Sequence, residues 1–224
     1  MGCQKEDLDL LSELLLIGCF RIDFITIDIA HGHSKNMKIA LDAIRPMFKG
    51  KIVAGNVATP EGVGDLVEWG ADVVKVGVGG GAPCTTKNKT GFHVPMATCA
   101  QKCASVDIAP LIIDGGIREN GDIAKALVAG CMIDKPIMIM IGSLFASCLD
   151  SPANGDKVKL YFGSASETCK GDRLHIEGKV IQIETNGMTY AEKLEEIRQD
   201  LASAISYAGG KDLNAFKNVN WTEI

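Results

Sequence analysis

Val73-Val74-Lys75-Val76-Gly77-Val78-Gly79-Gly80-Gly81-Ala82-Pro83-Cys84-Thr85-Thr86 begins as a β-branched, mostly apolar run and then turns into glycine. The run suits a strand buried on both faces. Gly77, Gly79, Gly80 and Gly81 permit backbone angles closed to other residues and let a ligand approach the main chain. Directly behind them stand a thiol and two hydroxyls, Cys84-Thr85-Thr86. A strand that stops in such a loop can carry covalent chemistry. It can equally be a tight turn followed by a buried cysteine, since free cysteine often packs as a small hydrophobe.

The same strand-then-helix pattern extends in both directions. Toward the N-terminus, Thr59-Pro60-Glu61 starts a helix to about Trp69, with a hydroxyl cap, a proline in the first turn and an acid near the positive dipole end. Before it lie a strand over Lys51–Val57, a helix capped by Ser34 that runs to about Phe48, and a strand over Phe24–Ala30 that ends in His31-Gly32-His33-Ser34. Lys5–Ile17 reads as a helix. Toward the C-terminus come a helix over Pro95–Ala104, a strand over Pro110–Gly116, a helix over Glu119–Ala129 and a strand over Ile137–Ser143. The repeat is roughly thirty residues, and no strand alternates in polarity, which predicts parallel β/α units covered by helices. Five such units are visible. After Cys148 the pattern changes. Val158–Phe162 and Lys179–Glu184 read as a β excursion around a polar loop, and Thr189–Tyr207 as an amphipathic closing helix stopped by Gly209-Gly210. The last segment, to Ile224, carries no strong signal.

The chain has 224 residues, so a single domain over 1–224 is the natural reading. It is 46% hydrophobic and 23% charged, which fits a globular chain with a sizeable core. Net charge is -5 and no basic run occurs, which argues against nucleic acid as a partner. Eight cysteines lie scattered without a CxxC pair, so reduced thiols and a cytoplasmic home are expected. The apolar run Pro136–Leu149 is too short to span a bilayer, so no membrane partner is expected. Met1-Gly2-Cys3-Gln4-Lys5-Glu6-Asp7 turns acidic at once and does not read as a signal peptide.

Polar residues gather at one end of the strands: Asp28, Asn56, Gly79, Asp114, Gly115, Gly142 and Ser143 all fall at C-terminal strand ends. In a (β/α)8 (TIM) barrel that end holds the active site, and the loops after the last two strands commonly bind phosphate. Asp114-Gly115-Gly116 and Gly142-Ser143 fit that use through backbone N–H groups. An open doubly wound sheet would place ligands at the same end, but no GxGxxG lies at a strand-to-helix turn. His31 and His33 lack a carboxylate or thiol partner in the sequence and read as loop residues rather than metal ligands. Lys75 is expected to point into the barrel beside an acid, in a supporting role.

Together these blocks resemble the IMP dehydrogenase/GMP reductase family. The matching text is Ile27-Asp28-Ile29-Ala30-His31-Gly32-His33-Ser34, Ala54-Gly55-Asn56-Val57, Lys75-Val76-Gly77-Val78-Gly79, Cys84-Thr85-Thr86, Asp114-Gly115-Gly116-Ile117 and Tyr161-Phe162-Gly163-Ser164-Ala165-Ser166-Glu167. Glu177-Gly178-Lys179 and Ser206-Tyr207-Ala208-Gly209-Gly210 complete it, in the family's order over nearly the whole chain. The wording of the last three blocks is most similar to the bacterial GMP reductase branch.

The resemblance implies NADPH-dependent reductive deamination of GMP to IMP and ammonia in purine nucleotide salvage. Cys84 matches the nucleophile that attacks purine C2, and Thr86 and Glu177 match the pair that manages the proton of the leaving ammonia. Asp114 matches the ribose-binding carboxylate. Gly115, Gly116, Gly142 and Ser143 match the phosphate cradle, and Gly163, Ser164 and Ala165 further nucleotide contacts. Asp28, Ile29, Ala30, Val78 and Gly79 match the dinucleotide site. Carbonyls of Gly79, Gly81 and Cys84 match a monovalent-cation site, usually potassium. A homo-tetramer is the family-like assembly. The loop Gly79-Gly80-Gly81-Ala82-Pro83 departs from the family's Gly-Pro-Gly, and the Cys131–Pro136 connection looks longer than usual. Five units instead of eight imply a barrel that lacks its first three. The rival readings are IMP dehydrogenase, which adds a long flap with an Arg-Tyr pair, and a non-catalytic nucleotide-binding remnant.

Overall fold

The computed structural model describes every residue except 19–20, 132–133, 154, 172–175 and 221–224. Helix α1 (Lys5–Ile17) leads into β1 (Phe24–Asp28), α2 (Lys35–Met47), β2 (Lys51–Val57), α3 (Pro60–Glu68) and β3 (Val73–Val76). The chain continues through α4 (Thr86–Thr90), α5 (Met96–Ala104), β4 (Leu111–Asp114), α6 (Asn120–Gly130), β5 (Ile137–Met140) and α7 (Ser143–Ala146). It ends with β6 (Val158–Phe162), α8 (Glu167–Lys170), β7 (Val180–Glu184), α9 (Tyr190–Tyr207) and a 3-10 turn over Leu213–Asn218.

The helix starts follow their local chemistry. Ser34 accepts the Met37 N–H and Thr59 accepts the Gly62 N–H, each filling one of the donors that a first turn leaves open. Thr189 and Glu192 cap α9 reciprocally. Three short helices, α4, α7 and α8, have no periodic signal at their length and are not foreseen from sequence.

The first five strands form one sheet in the order β1-β2-β3-β4-β5, every pair parallel. Spatial order equals chain order. A doubly wound sheet reverses direction at a switch point, and this one does not, so the topology is an arc of a β/α barrel. Ile25, Ile27, Val74, Val76, Leu111 and Ile113 join helix residues such as Leu41, Leu66 and Leu127 in one buried cluster. Register puts Asp28, Gly55, Lys75 and Ile112 side by side in one row of the sheet, one residue out of step with Ile27, Ala54, Val74 and Leu111. Successive residues alternate between faces, so that row belongs to the side away from the helices.

Burial on both faces holds for the middle of the sheet and fails at its margins. β3 is buried throughout, whereas β1 alternates buried Ile25 and Ile27 with exposed Phe24, Thr26 and Asp28. Met138 and Met140 of β5 stay 41% and 40% exposed. Met1 pairs with the outer edge of β1: its amine donates to Thr26 O at 2.9 Å and its carbonyl accepts from Asp28 N at 3.0 Å. That is the bonding pattern of a further parallel strand.

The expected β excursion is an antiparallel pair, β6 with β7. Several strands are shorter than read from sequence, ending at Asp28, Val76, Asp114 and Met140. The residues beyond each end form the loops that build the site. Residues 132 and 133 of the Cys131–Pro136 connection lie outside the described residues.

Candidate active site

Glycine makes the thiol loop possible. Gly77 sits at φ +134°, and a Cβ there would collide with the Asp114 carbonyl. Further on, the loop after β3 lies backbone to backbone on the loop after β4: a Cβ on Gly115 would fall 2.9 Å from Gly80 C, and Gly116 N donates to Gly80 O at 2.9 Å. The same loop is stitched to the segment before β7. Lys179 N donates to Pro83 O (2.9 Å), Thr85 N to Glu177 O (2.8 Å), and Cys84 bridges Gly178. Ala165 O in turn accepts both Glu177 N and Gly178 N at 3.1 Å. Pro83 is thus anchored by its carbonyl, and Cys84 lines a cavity.

Three side chains form a chain of proton-bearing groups. Cys84 Sγ lies 3.3 Å from Thr86 Oγ1, and Thr86 Oγ1 donates to Glu177 Oε2 at 2.5 Å. Thr86 is buried, while Cys84 and Glu177 are half-buried beside the cavity. A thiol that donates to a hydroxyl, which donates to a carboxylate, can pass a proton in either direction.

Beside this relay lies a charged cluster on the row noted above. Lys75 is 1% exposed. Its ammonium donates to Asp114 Oδ2 at 2.6 Å and lies 3.4 Å from Asp28 Oδ2. Asn56 Nδ2 donates to the same Asp114 oxygen at 2.9 Å and to Gly77 O at 2.8 Å. Gly55 stands between Asp28 and Lys75 in register, and a Cβ there would lie 2.5 Å from Lys75 Cβ. Its missing side chain lets the two meet. Burial, and then the Asp114 charge, raise the Tyr161 hydroxyl above its ordinary pKa.

The cavity has a volume of about 260 Å³. Of the residues singled out from sequence, Asp28, Ile29, Ala30, Gly79, Gly81, Cys84, Thr86, Asp114, Gly163, Ser164, Ala165 and Glu177 line it. Val78, Gly115, Gly116, Gly142 and Ser143 do not. Val78 is buried and its carbonyl accepts from Val94 N. Gly115 and Gly116 pack beneath Gly80 and against Met96. Gly142 borders a second, more apolar cavity of about 500 Å³ with Phe145 and Tyr190. Tyr161 lines both cavities, and a Cβ on Gly142 would collide with its hydroxyl. Tyr161 and Asn56 are the site residues to which sequence assigns no role. Asn56 gives a partial signal as an amide at a strand end; Tyr161 reads as an ordinary strand aromatic.

Thiol, hydroxyl and carboxylate gather at a cavity, beside a carboxylate held by a buried lysine, at the C-terminal mouth of a β/α barrel arc; such a set of groups is suited to nucleophilic chemistry. His33 instead pairs with Asp65 at 2.7 Å and lies against the Trp69 ring. Among the described residues no cluster of three His, Cys, Asp or Glu side chains could hold a metal ion.

A profile for the IMP dehydrogenase / GMP reductase domain matches residues 2–223. The chain belongs to this family. Within it, the chain is 43% identical over 232 residues to GMP reductase of Albidiferax ferrireducens, covering 100% of this chain and 69% of the relative. It is 43% identical over 230 residues to GMP reductase of Mesoplasma florum, covering 99% of this chain and 70% of that protein. Lysinibacillus sphaericus GMP reductase is 44% identical, with 99% and 68% covered. An alanine variant of Trypanosoma brucei GMP reductase, crystallised with guanosine 5′-monophosphate, superposes with a TM-score of 0.83 at 29% identity. That superposition covers 96% of this chain and 47% of the other. This chain is a homologue of the GMP reductases that spans part of their length.

Proposed function

We propose that this chain carries the GMP reductase active site and performs the NADPH-dependent conversion of GMP to IMP and ammonia. The observation that carries the reading is the Cys84–Thr86–Glu177 relay at a cavity bounded by Asp114. Family membership supports an oxidoreductase, and the GMP-bound neighbour supports a purine nucleotide as ligand.

Asp114 accepts hydrogen bonds from the ribose hydroxyls of GMP, and Gly163, Ser164 and Ala165 offer backbone groups from the opposite loop. Cys84 loses its proton toward Thr86 and Glu177. Its sulfur bonds to purine C2 while the C2–amine bond breaks. The relay returns the proton to the departing nitrogen, so ammonia leaves neutral and a thioimidate stays on Cys84. The reduced nicotinamide, when bound, supplies the hydride to C2. The C2–S bond then breaks, Cys84 takes a proton back, and IMP is free. Net consumption is one GMP, one NADPH and one proton.

For the dinucleotide, Asp28, Ile29 and Ala30 line the same cavity as Cys84. The Asp28 carboxylate is an acceptor suited to an amide N–H₂ or a ribose hydroxyl, so these residues fit a nicotinamide nucleotide. Val78 and Gly79 would support it from the neighbouring loop. Carbonyls of Gly79, Gly81 and Cys84 suit a hard monovalent cation such as potassium. Gly81 O already accepts Cys84 N at 3.0 Å, so this loop offers at most part of a coordination shell, and no step is assigned to a cation.

A homo-tetramer and a cytoplasmic, reducing setting belong to the same proposal. Among the described residues no helix is long and apolar enough to cross a membrane.

The test adds GMP and NADPH to the chain and follows the reduced-nicotinamide absorbance. Loss of absorbance that requires GMP supports the reading. Its gain with IMP and NAD⁺ points to the dehydrogenase, and silence in both assays contradicts an enzyme.

A further inference from the structure

The reaction above uses Asp114 and Asp28 for two different ligands, yet one buried ammonium touches both. We propose that Lys75 is a positioning residue that couples nucleotide and dinucleotide binding by sharing its charge between these two carboxylates. The inference rests on the GMP reductase reading and adds to it a link between the two subsites.

The geometry is specific. Lys75 lies in the middle strand of the sheet and is 1% exposed. Its ammonium is 2.6 Å from Asp114 Oδ2, 3.4 Å from Asp28 Oδ2 and 3.3 Å from Met140 Sδ. An ammonium has three protons, and these three neighbours can take them. Thioether sulfur is a weak acceptor, so the two carboxylates carry the charge compensation. A buried cation deprived of a carboxylate is strongly unfavourable, because water cannot reach it.

Direction matters as well. The Lys75 and Asn56 bonds both fall on Oδ2 of Asp114. A carboxylate clamped at one oxygen presents the other in a fixed place, and Asp114 lines the cavity. Asp28 is held less closely and its side chain is half exposed. A ligand that orders Asp28 therefore fixes the ammonium it shares, and with it Asp114. Binding in one subsite pre-organises the other, which is positive coupling and is reciprocal at equilibrium.

The test is a thermodynamic cycle on the whole chain. GMP affinity is measured by calorimetry with and without saturating NADP⁺, which binds without turnover. The unmodified chain is expected to bind GMP about fivefold or more tightly when NADP⁺ is present. Lys75→Met is expected to weaken both ligands and to bring this factor to about one. A residue that only supported the fold would weaken both ligands and leave the factor standing. Because Lys75→Met can fail to fold, Asp28→Asn is the second arm. It keeps the Lys75–Asp114 pair, and with NADP⁺ titrated directly into the variant until its own site is saturated, the factor is expected to fall to about one. A factor that persists in Lys75→Met or in Asp28→Asn overturns the proposal, as does its absence from the unmodified chain. Failure of the unmodified chain to bind GMP at all is a separate result, and it removes the GMP reductase reading and this inference together.

Discussion

Thr86 Oγ1 donates to Glu177 Oε2 across 2.5 Å, although 91 positions separate the two residues in the chain. The contact is held from outside by the main chain, because Thr85 N donates to Glu177 O at 2.8 Å. Charge-assisted O–H···O bonds have this length. With the Cys84 thiol 3.3 Å from the same hydroxyl, the pair is placed to remove and return one proton.

Thr86→Ala and Glu177→Gln should therefore each lower GMP turnover by about 10²–10⁴-fold. GMP affinity, read by calorimetry, should change little. The double variant should be no worse than the poorer single one, since the proposed mechanism gives both residues one proton path. Additive losses would mean that the two act separately.

Gly142 and Tyr161 offer a second test. A Cβ on Gly142 would meet the Tyr161 hydroxyl, which borders the cavity. Gly142→Ala should push that ring and weaken GMP binding by about tenfold. Tyr161→Phe removes the colliding oxygen. The pair of changes together should lose less than the sum of the two alone, by about 0.5 kcal/mol or more.

Asp72 gives a pH signature of the fold rather than of the site. Burial opposes its ionisation, but the Ile52 N–H, then Lys51 and Arg45, outweigh it and hold the carboxyl below its ordinary range. The folded value is lowered, so its stabilisation is full above the unfolded pKa of about 3.9 and is lost as pH falls through the lower folded value. Asp72→Asn should cost about 1–2 kcal/mol at neutral pH, in denaturant melts. The gap to the parent chain should close as pH falls through that lowered folded value.

The buried cluster behind the sheet should respond as a packed core. Leu111 of β4 is 1% exposed and pairs with Val74 and Ile137 in register. Leu111→Ala should cost about 2–5 kcal/mol of unfolding free energy. Its effect on the GMP affinity of the folded fraction should be small, since Leu111 faces the helices.

Particular residues show why much of the fold is legible in the sequence. Val73 to Val76 announce a buried strand by β-branching alone, and Ser34, Thr59 and Thr189 mark helix starts because each cap is a local hydrogen bond. The relay was legible through the resemblance of Cys84-Thr85-Thr86 and Glu177-Gly178-Lys179 to family text; spacing alone would not pair residues so far apart. What local sequence cannot carry is tertiary. Tyr161 reaches the cavity because β6 folds back over the loop after β5. Gly115 and Gly116 sit under Gly80 rather than in the cavity wall because two loops pack backbone to backbone. Helices α4, α7 and α8 are too short for a periodic pattern.

In the proposed reaction the Cys84 sulfur bonds to the purine. Mass spectrometry of the chain quenched during turnover with GMP and NADPH reads it directly. A purine nucleotide adduct should appear on the peptide that holds Cys84, and Cys84→Ala should lose both adduct and NADPH oxidation while still binding GMP. GMP-dependent NADPH oxidation that survives in Cys84→Ala, or an adduct on a different cysteine, would contradict the account.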